Sequence, residues 1–146
     1  MPTLLNTDTP PHGEGYMLLF RGRPWYTAGY SDEELQGIMN EVNAWFAKLD
    51  GEGKLAGGRP LFDRAVTVSA ESTRSVTDGP FPEAKEAIGG YIVVKTDTFE
   101  EAVEIARENP MTRYGLITEV REVASDCPHM YAVRQRLGTA AVAAVA

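Results

Sequence analysis

Over residues 35–49 the apolar side chains Leu35, Ile38, Met39, Val42, Trp45, Phe46 and Leu49 recur at steps of three and four. Such steps put side chains on one stripe of an α-helix. Ahead of them Ser31-Asp32-Glu33-Glu34 has the form of a capping box, in which the Ser31 hydroxyl accepts from the Glu34 amide while Glu34 reaches back. Gly51 and Gly53 close the segment. A long helix with a single apolar stripe must lie on another layer, and the flanking segments supply one. Residues 16–20 are a compact apolar run of strand type. Residues 55–62 read as a Gly-containing extended segment, and residues 66–70 and 75–77 as a hairpin around Glu71-Ser72-Thr73. Residues 90–96 are β-branched and strand-like. A second helix starts at Thr98, with Glu101 three residues later and Phe99, Ala102, Val103 and Ala106 as its buried face. Asn109-Pro110 stops it, and residues 114–123 form the last strand. Residues 21–29 read as a loop carrying Trp25 and Tyr26, residues 82–87 as a single helical turn, and residues 131–137 as a helical stretch in the tail.

The order β, long α, two or three β, α, β reads as an α+β fold, the ferredoxin-like split βαβ with an antiparallel sheet. Both helices would cover one face of that sheet. The other face carries apolar residues as well, and a second copy of the sheet is the cheapest cover, so a homodimer is expected. With 146 residues and 43% apolar composition the chain suits one domain with one core, placed at residues 16–123 between an N-terminal arm (1–15) and a C-terminal tail (124–146). A net charge of −7 argues against nucleic acid or an anionic membrane as general partner. The one cysteine, Cys127, leaves no internal disulfide and fits a reducing cytosol. Residues 1–15 lack an apolar signal core and the Ala-rich run at 140–146 is too short to span a bilayer. A cytoplasmic location is the resulting expectation.

The most specific stretch is Asp78-Gly79-Pro80-Phe81, followed by Pro82, Glu83, Lys85, Glu86 and Gly89-Gly90-Tyr91. It joins a turn, a charged knot and the start of an apolar strand. Together with Tyr16-Met17-Leu18-Leu19, Val76-Thr77 and Glu119-Val120-Arg121, it resembles the YCII-related family in its DGPF-domain branch, over about residues 16–123. The resemblance implies a dimeric α+β barrel, in which two ferredoxin-like sheets pack face to face. It implies less about function: many members of the branch have no established activity, while relatives in the wider superfamily are lactone isomerases, dehalogenating enzymes or monooxygenases. In some members a His on the first helix and a nearby Asp are suspected of acid–base work. The corresponding stretch here is Val42-Asn43, with no histidine near it, and the chain's two histidines, His12 and His129, lie in the arm and the tail. A His–Asp mechanism does not carry over.

The residues themselves leave each candidate with two readings. Asp78 before Gly-Pro is a common turn starter that accepts from amides two residues on; the functional reading makes it a general base or substrate anchor at a cavity rim. Phe81 plugs the core or walls a pocket. Lys85 and Glu86 are either a solvated charged turn or contacts to a polar ligand. Glu119 and Arg121, two apart on a strand, share a face with Ile117. Structural pairing is favoured for them, with Arg121 the obvious carboxylate clamp if a pocket opens there. Trp45 and Phe46 read as core rather than ligand wall, Trp25 and Tyr26 as a lid or as packing on the arm, and Asn43 as a candidate for orienting substrate or water. No phosphate-cradling glycine loop and no Cys/His set spaced for zinc is present, so neither metal nor organic cofactor is expected. Two classes of function remain. The favoured one is a small-ligand-binding or accessory module; the alternative is a cofactor-independent enzyme acting by proton transfer on a small polar or anionic substrate.

Overall fold

The computed structural model describes residues 7–22, 28–70, 77–78 and 87–138, with residues 77 and 78 described through their backbone alone. In chain order the elements are β1 (Gly13–Arg21), α1 (Asp32–Gly51), β2 (Leu55–Pro60), β3 (Val66–Thr67), β4 (Thr77–Asp78), β5 (Ile88–Val94), α2 (Phe99–Arg107), a 3₁₀ helix (Pro110–Tyr114), β6 (Ile117–Ala124) and α3 (Pro128–Leu137). The four long strands form one sheet in the order β2-β5-β1-β6, with β5 antiparallel to both β1 and β2. Strand β5 thus inserts between the two strands joined through α1, which is the split βαβ arrangement that the order of elements predicts. Strands β3 and β4 make a separate two-stranded ladder, Val66 opposite Asp78 and Thr67 opposite Thr77, as expected of the hairpin; its tip and the expected helical turn at 82–87 lie outside the described residues.

Helices α1 and α2 begin where side-chain capping dictates. The Ser31 hydroxyl accepts from the Glu34 amide at 3.1 Å. It also donates to the Glu34 carboxylate at 3.2 Å, so the glutamate returns to the cap hydroxyl rather than to the cap amide. At α2 the Thr98 hydroxyl accepts from the Glu101 amide, and the Glu101 carboxylate accepts from the Asp97 amide, each at 3.2 Å. Reciprocal bonds of this kind satisfy amides that have no partner inside the helix. Asn109 ends α2 and caps the 3₁₀ helix, its side-chain oxygen accepting from the Met111 amide at 3.0 Å. That short helix takes up residues 110–114, so the last strand starts at Ile117 and not at Tyr114.

The two helices pack on one face of the sheet. Trp45 and Leu49 of α1 and Ala102, Ile105 and Ala106 of α2 bury against Tyr16, Leu18, Ile92 and Val94. Within α2 the buried face runs through Ile105 instead of Phe99. Phe99, at the first helical position, stays exposed and sets its ring edge-on to Tyr16 at 5.8 Å. Within α1, Met39 is exposed, and Val42 and Phe46 are half-buried although they share the stripe.

The chain divides into two compact units, residues 16–121 and the paired ends 1–15 with 122–146. In the described part of the ends, the Ser125 amide donates to the His12 carbonyl at 2.8 Å and the His12 amide donates to the Ser125 hydroxyl at 3.0 Å. Arg134 of α3 lies 4.0 Å from the Asp8 carboxylate.

One glycine is obligatory. Gly58 has φ +141°, and a Cβ there would sit 2.4 Å from the Tyr91 carbonyl oxygen and 2.6 Å from Ile92 Cα. No side chain fits between strands that close, and the backbone angle itself belongs to glycine. We expect Gly58→Ala to lower unfolding stability by roughly 2–3 kcal/mol. Gly89→Ala, whose added carbon meets nothing within 4 Å, should change it by less than about 1 kcal/mol; urea denaturation of the two variants checks both.

Candidate functional site

The register of β1, β2 and β5 leaves a hole in the sheet's helix-facing surface. Ile92 and Val94 point to the helices, and the same alternation brings Gly90 of β5 to that face. Its neighbours across the ladder are Phe20 on β1 and Pro60 on β2, while Gly58 lies opposite Ile92. Two of these inward positions, Gly58 and Gly90, therefore carry no side chain. Over them stand Val42, Trp45 and Phe46 of α1. The result is an open cleft of about 1360 Å³, walled by Phe20, Val42, Trp45, Phe46, Met111 and Leu116 and floored by the β2–β5 backbone. The stretch from Leu61 to Ala65 borders it and brings the polar groups Asp63 and Arg64, beside the fully exposed ring of Phe62.

The aromatic wall is ordered. Trp45 meets Phe46 edge-to-face at 5.0 Å and Phe20 at 6.4 Å, the arrangement that the ring quadrupoles favour. Trp45 is a core residue and a cleft residue at once, packing on the hydrophobic cluster while its neighbours Val42 and Phe46 border open space. Its indole nitrogen is buried without a hydrogen-bond partner among the described residues, a cost of about 1–3 kcal/mol that the core tolerates. Asn109, also at the cleft, is buried and uses its side-chain oxygen on the Met111 amide.

A second cluster sits on the sheet face away from the helices. Glu119 accepts from Arg21 at 3.2 Å and from Arg121 at 3.3 Å. Glu119 and Arg121 point the same way, as the two-residue strand period requires, and Arg21 of β1 joins them. The sequence reading missed Arg21, which it assigned to the loop after the first strand, whereas β1 runs on through Arg21. Arg21 and Glu119 are half-buried, while Arg121 is mostly exposed. Two guanidinium groups share one carboxylate, so the carboxylate is committed to ion pairing.

The other sequence candidates fall apart spatially. Asn43 is exposed on α1 and does not line the cleft. Asp78 pairs in β4 opposite Val66; its side chain, with Phe81, Lys85 and Glu86, lies outside the described residues, as do Trp25 and Tyr26. The cleft itself was signalled only by Gly57-Gly58 and Gly89-Gly90, whose meaning depends on the strands being neighbours. Among the described residues no three His, Cys, Asp or Glu side chains gather as metal ligands, and no helix is long and apolar enough to cross a membrane.

Comparison with known proteins places these features in context. The family model of the YCII-related domain matches residues 15–129. A protein of Rhizobium meliloti (strain 1021), itself described as uncharacterized, is 31% identical over 96 residues, which cover 59% of this chain and 75% of that protein. Among solved structures, 5-chloro-2-hydroxyhydroquinone dehydrochlorinase (TftG) from Burkholderia phenoliruptrix AC1100, in complex with 2,5-dihydroxybenzoquinone, matches 73% of this chain and 90% of its own. The identity is 16% and the TM-score 0.38, a likeness too distant to carry activity across.

Replacing Glu119 by Gln leaves two arginines without their shared counter-charge, one of them half-buried. We expect a loss of about 1 kcal/mol in urea unfolding for Glu119→Gln, and less than about 0.5 kcal/mol for Arg121→Ala, whose partner keeps Arg21.

Proposed function

The chain belongs to the YCII-related domain family, and from that premise we propose that it is a small-ligand-binding protein whose site is the cleft between α1 and the β2–β5 ladder. One observation carries the reading: an open volume of about 1360 Å³ walled by ordered aromatic and aliphatic side chains. Concave, mostly apolar sites with a few polar groups at the rim are where organic ligands bind. Binding is preferred over proton-transfer catalysis because the described lining residues include no histidine, and their one carboxylate, Asp63, is exposed. The proposal extends to the DGPF branch of the family, which the Asp78-Gly79-Pro80-Phe81 motif supports. In this reading Asp78, Phe81, Lys85 and Glu86 supply ligand contacts additional to the cleft wall.

The same proposal includes a cytoplasmic homodimer. Met17, Leu19, Tyr91, Val93 and Ile117 lie on the sheet face turned from the helices, and each retains exposure. Five apolar side chains beside the Arg21–Glu119–Arg121 cluster suit a self-complementary contact, with the ion pairs setting its register.

Calorimetric titration against a library of small organic compounds tests the site. Ligands should bind the wild-type chain and lose at least tenfold in affinity in Val42→Trp, which adds an indole at the cleft wall; binding unchanged in that variant would place the ligand elsewhere. For the assembly, light scattering should give twice the 16.0 kDa chain mass at micromolar concentration, and Leu19→Glu should return the single-chain mass with helix content preserved.

A further inference from the structure

The cleft keeps its charge apart from its apolar surface. Among the described lining residues only Arg59, Asp63 and Arg64 are charged, and all three fall within residues 59–64, at the end of β2 and in the stretch after it. The side chains that α1 and the 3₁₀ helix contribute, Val42, Trp45, Phe46 and Met111, are apolar. One short segment therefore brings two guanidinium groups and one carboxylate to the cleft, a local excess of positive charge in a chain whose net charge is −7. Arg59 Nη1 donates to the Gly58 carbonyl at 3.1 Å, which holds that guanidinium beside a residue of the cleft. Neither Arg59 nor Arg64 has a carboxylate partner among the described residues, whereas Arg21, Arg113 and Arg121 each have one. With 21 acidic residues in the chain carboxylates are not scarce. The remaining N–H donors of these two side chains are open to an incoming anion.

Resting on the reading of this cleft as the ligand site, we propose that its ligand is an amphipathic monoanion. An apolar body lies against Val42, Trp45 and Phe46, and a carboxylate-type head meets the guanidinium of Arg59, with Arg64 adding its charge. A planar guanidinium fork matches the two oxygens of a carboxylate and does not lose its proton. Contact between exposed charges is weak in water, so the head selects among ligands while burial of the body supplies most of the affinity. Asp63, next to Arg64 in the chain, sets the valence: it disfavours a doubly charged head such as a phosphate monoester more than a singly charged one. A cationic head would meet two like charges for one opposite charge.

Three probes with one body and different heads test the idea at neutral pH: 4-phenylbutanoate, the isosteric but uncharged 4-phenylbutanamide, and the cationic 4-phenylbutylamine. Titration of the full-length wild-type chain should give a Kd at least about fivefold lower for the carboxylate than for the amide, and the amine should bind no tighter than the amide. Arg59→Gln should remove most of this preference, raising the Kd of 4-phenylbutanoate severalfold and leaving that of the amide within about twofold. Arg64→Gln should act in the same direction to a smaller extent. Both arginines are exposed, so the two variants should keep the fold, which far-ultraviolet circular dichroism checks. Val42→Trp should weaken the carboxylate and the amide alike. Three results would overturn the anionic-ligand inference and leave the cleft as a binding site, provided that Val42→Trp weakens binding: equal affinity for carboxylate and amide, a preference for the amine, or a carboxylate preference untouched by both arginine variants. Binding of no probe up to its solubility limit, or binding indifferent to Val42→Trp, would overturn the cleft reading and this inference together.

Discussion

The contact on which the rest of this domain depends is the apolar stripe of α1 laid across β1 and β5. Leu49 and Trp45 meet Leu18, Ile92 and Val94 in a cluster in which Leu18 and Val94 have no exposed surface. Each such side chain contributes about 1.5–3 kcal/mol by leaving water, and together they pin the helix axis over the sheet. Once the axis is set, every other position on the stripe inherits its surroundings from the strand beneath it. Where β5 offers Ile92 and Val94, the helix side chains are sealed. Where β5 and β2 offer Gly90 and Gly58, Val42 and Phe46 look onto open space. Core and cleft are thus one interface, differing in whether the sheet side has side chains.

That continuity has a consequence for how a site and a fold share residues. Trp45 holds the core together and walls the cleft, so a change there would be felt in stability as well as in binding. Gly58 does the same from the sheet side, since it permits both the tight β2–β5 pairing and the bare floor. The opposite face of the sheet is separate chemistry. There Glu119 holds Arg21 and Arg121, and the pairing serves to satisfy charges on a surface otherwise lined by apolar side chains.

Much of the fold was legible in the sequence because its signals are local. The capping pairs Ser31/Glu34 and Thr98/Glu101 act over three residues, and both helices start where those pairs are. The strand expected at 90–96 from β-branched content is found at 88–94, and the hairpin partners around 66–67 and 77–78 follow from turn residues between them. Errors arose where a neighbour distant in sequence decides. Phe99 fits the helical period of α2 but sits at the sheet's margin, so Ile105 takes its place inside. Tyr114, expected to open the last strand, closes the 3₁₀ helix that Asn109 caps, and the left-handed Gly115 follows it. Trp45 and Phe46, expected as core rather than ligand wall, pack on the core and also line the cleft, because the strands beneath them offer glycine. Asn43, one residue from Val42, points to solvent because a single helical step rotates it by about 100° away from the stripe.

The sequence by itself determined the order and type of elements, the apolar stripe, the caps and the family, because each rests on residues within a few positions of one another or on a short exact motif. Only the tertiary structure decided that Gly58 and Gly90 come together beneath Phe46, and that Arg21 joins Glu119 and Arg121. Strand neighbours are set by which apolar faces can be buried simultaneously, a condition on the whole chain. A glycine read along the sequence is a weak strand residue. Diagonal to another glycine on the next strand, under an aromatic helix face, it borders a cleft.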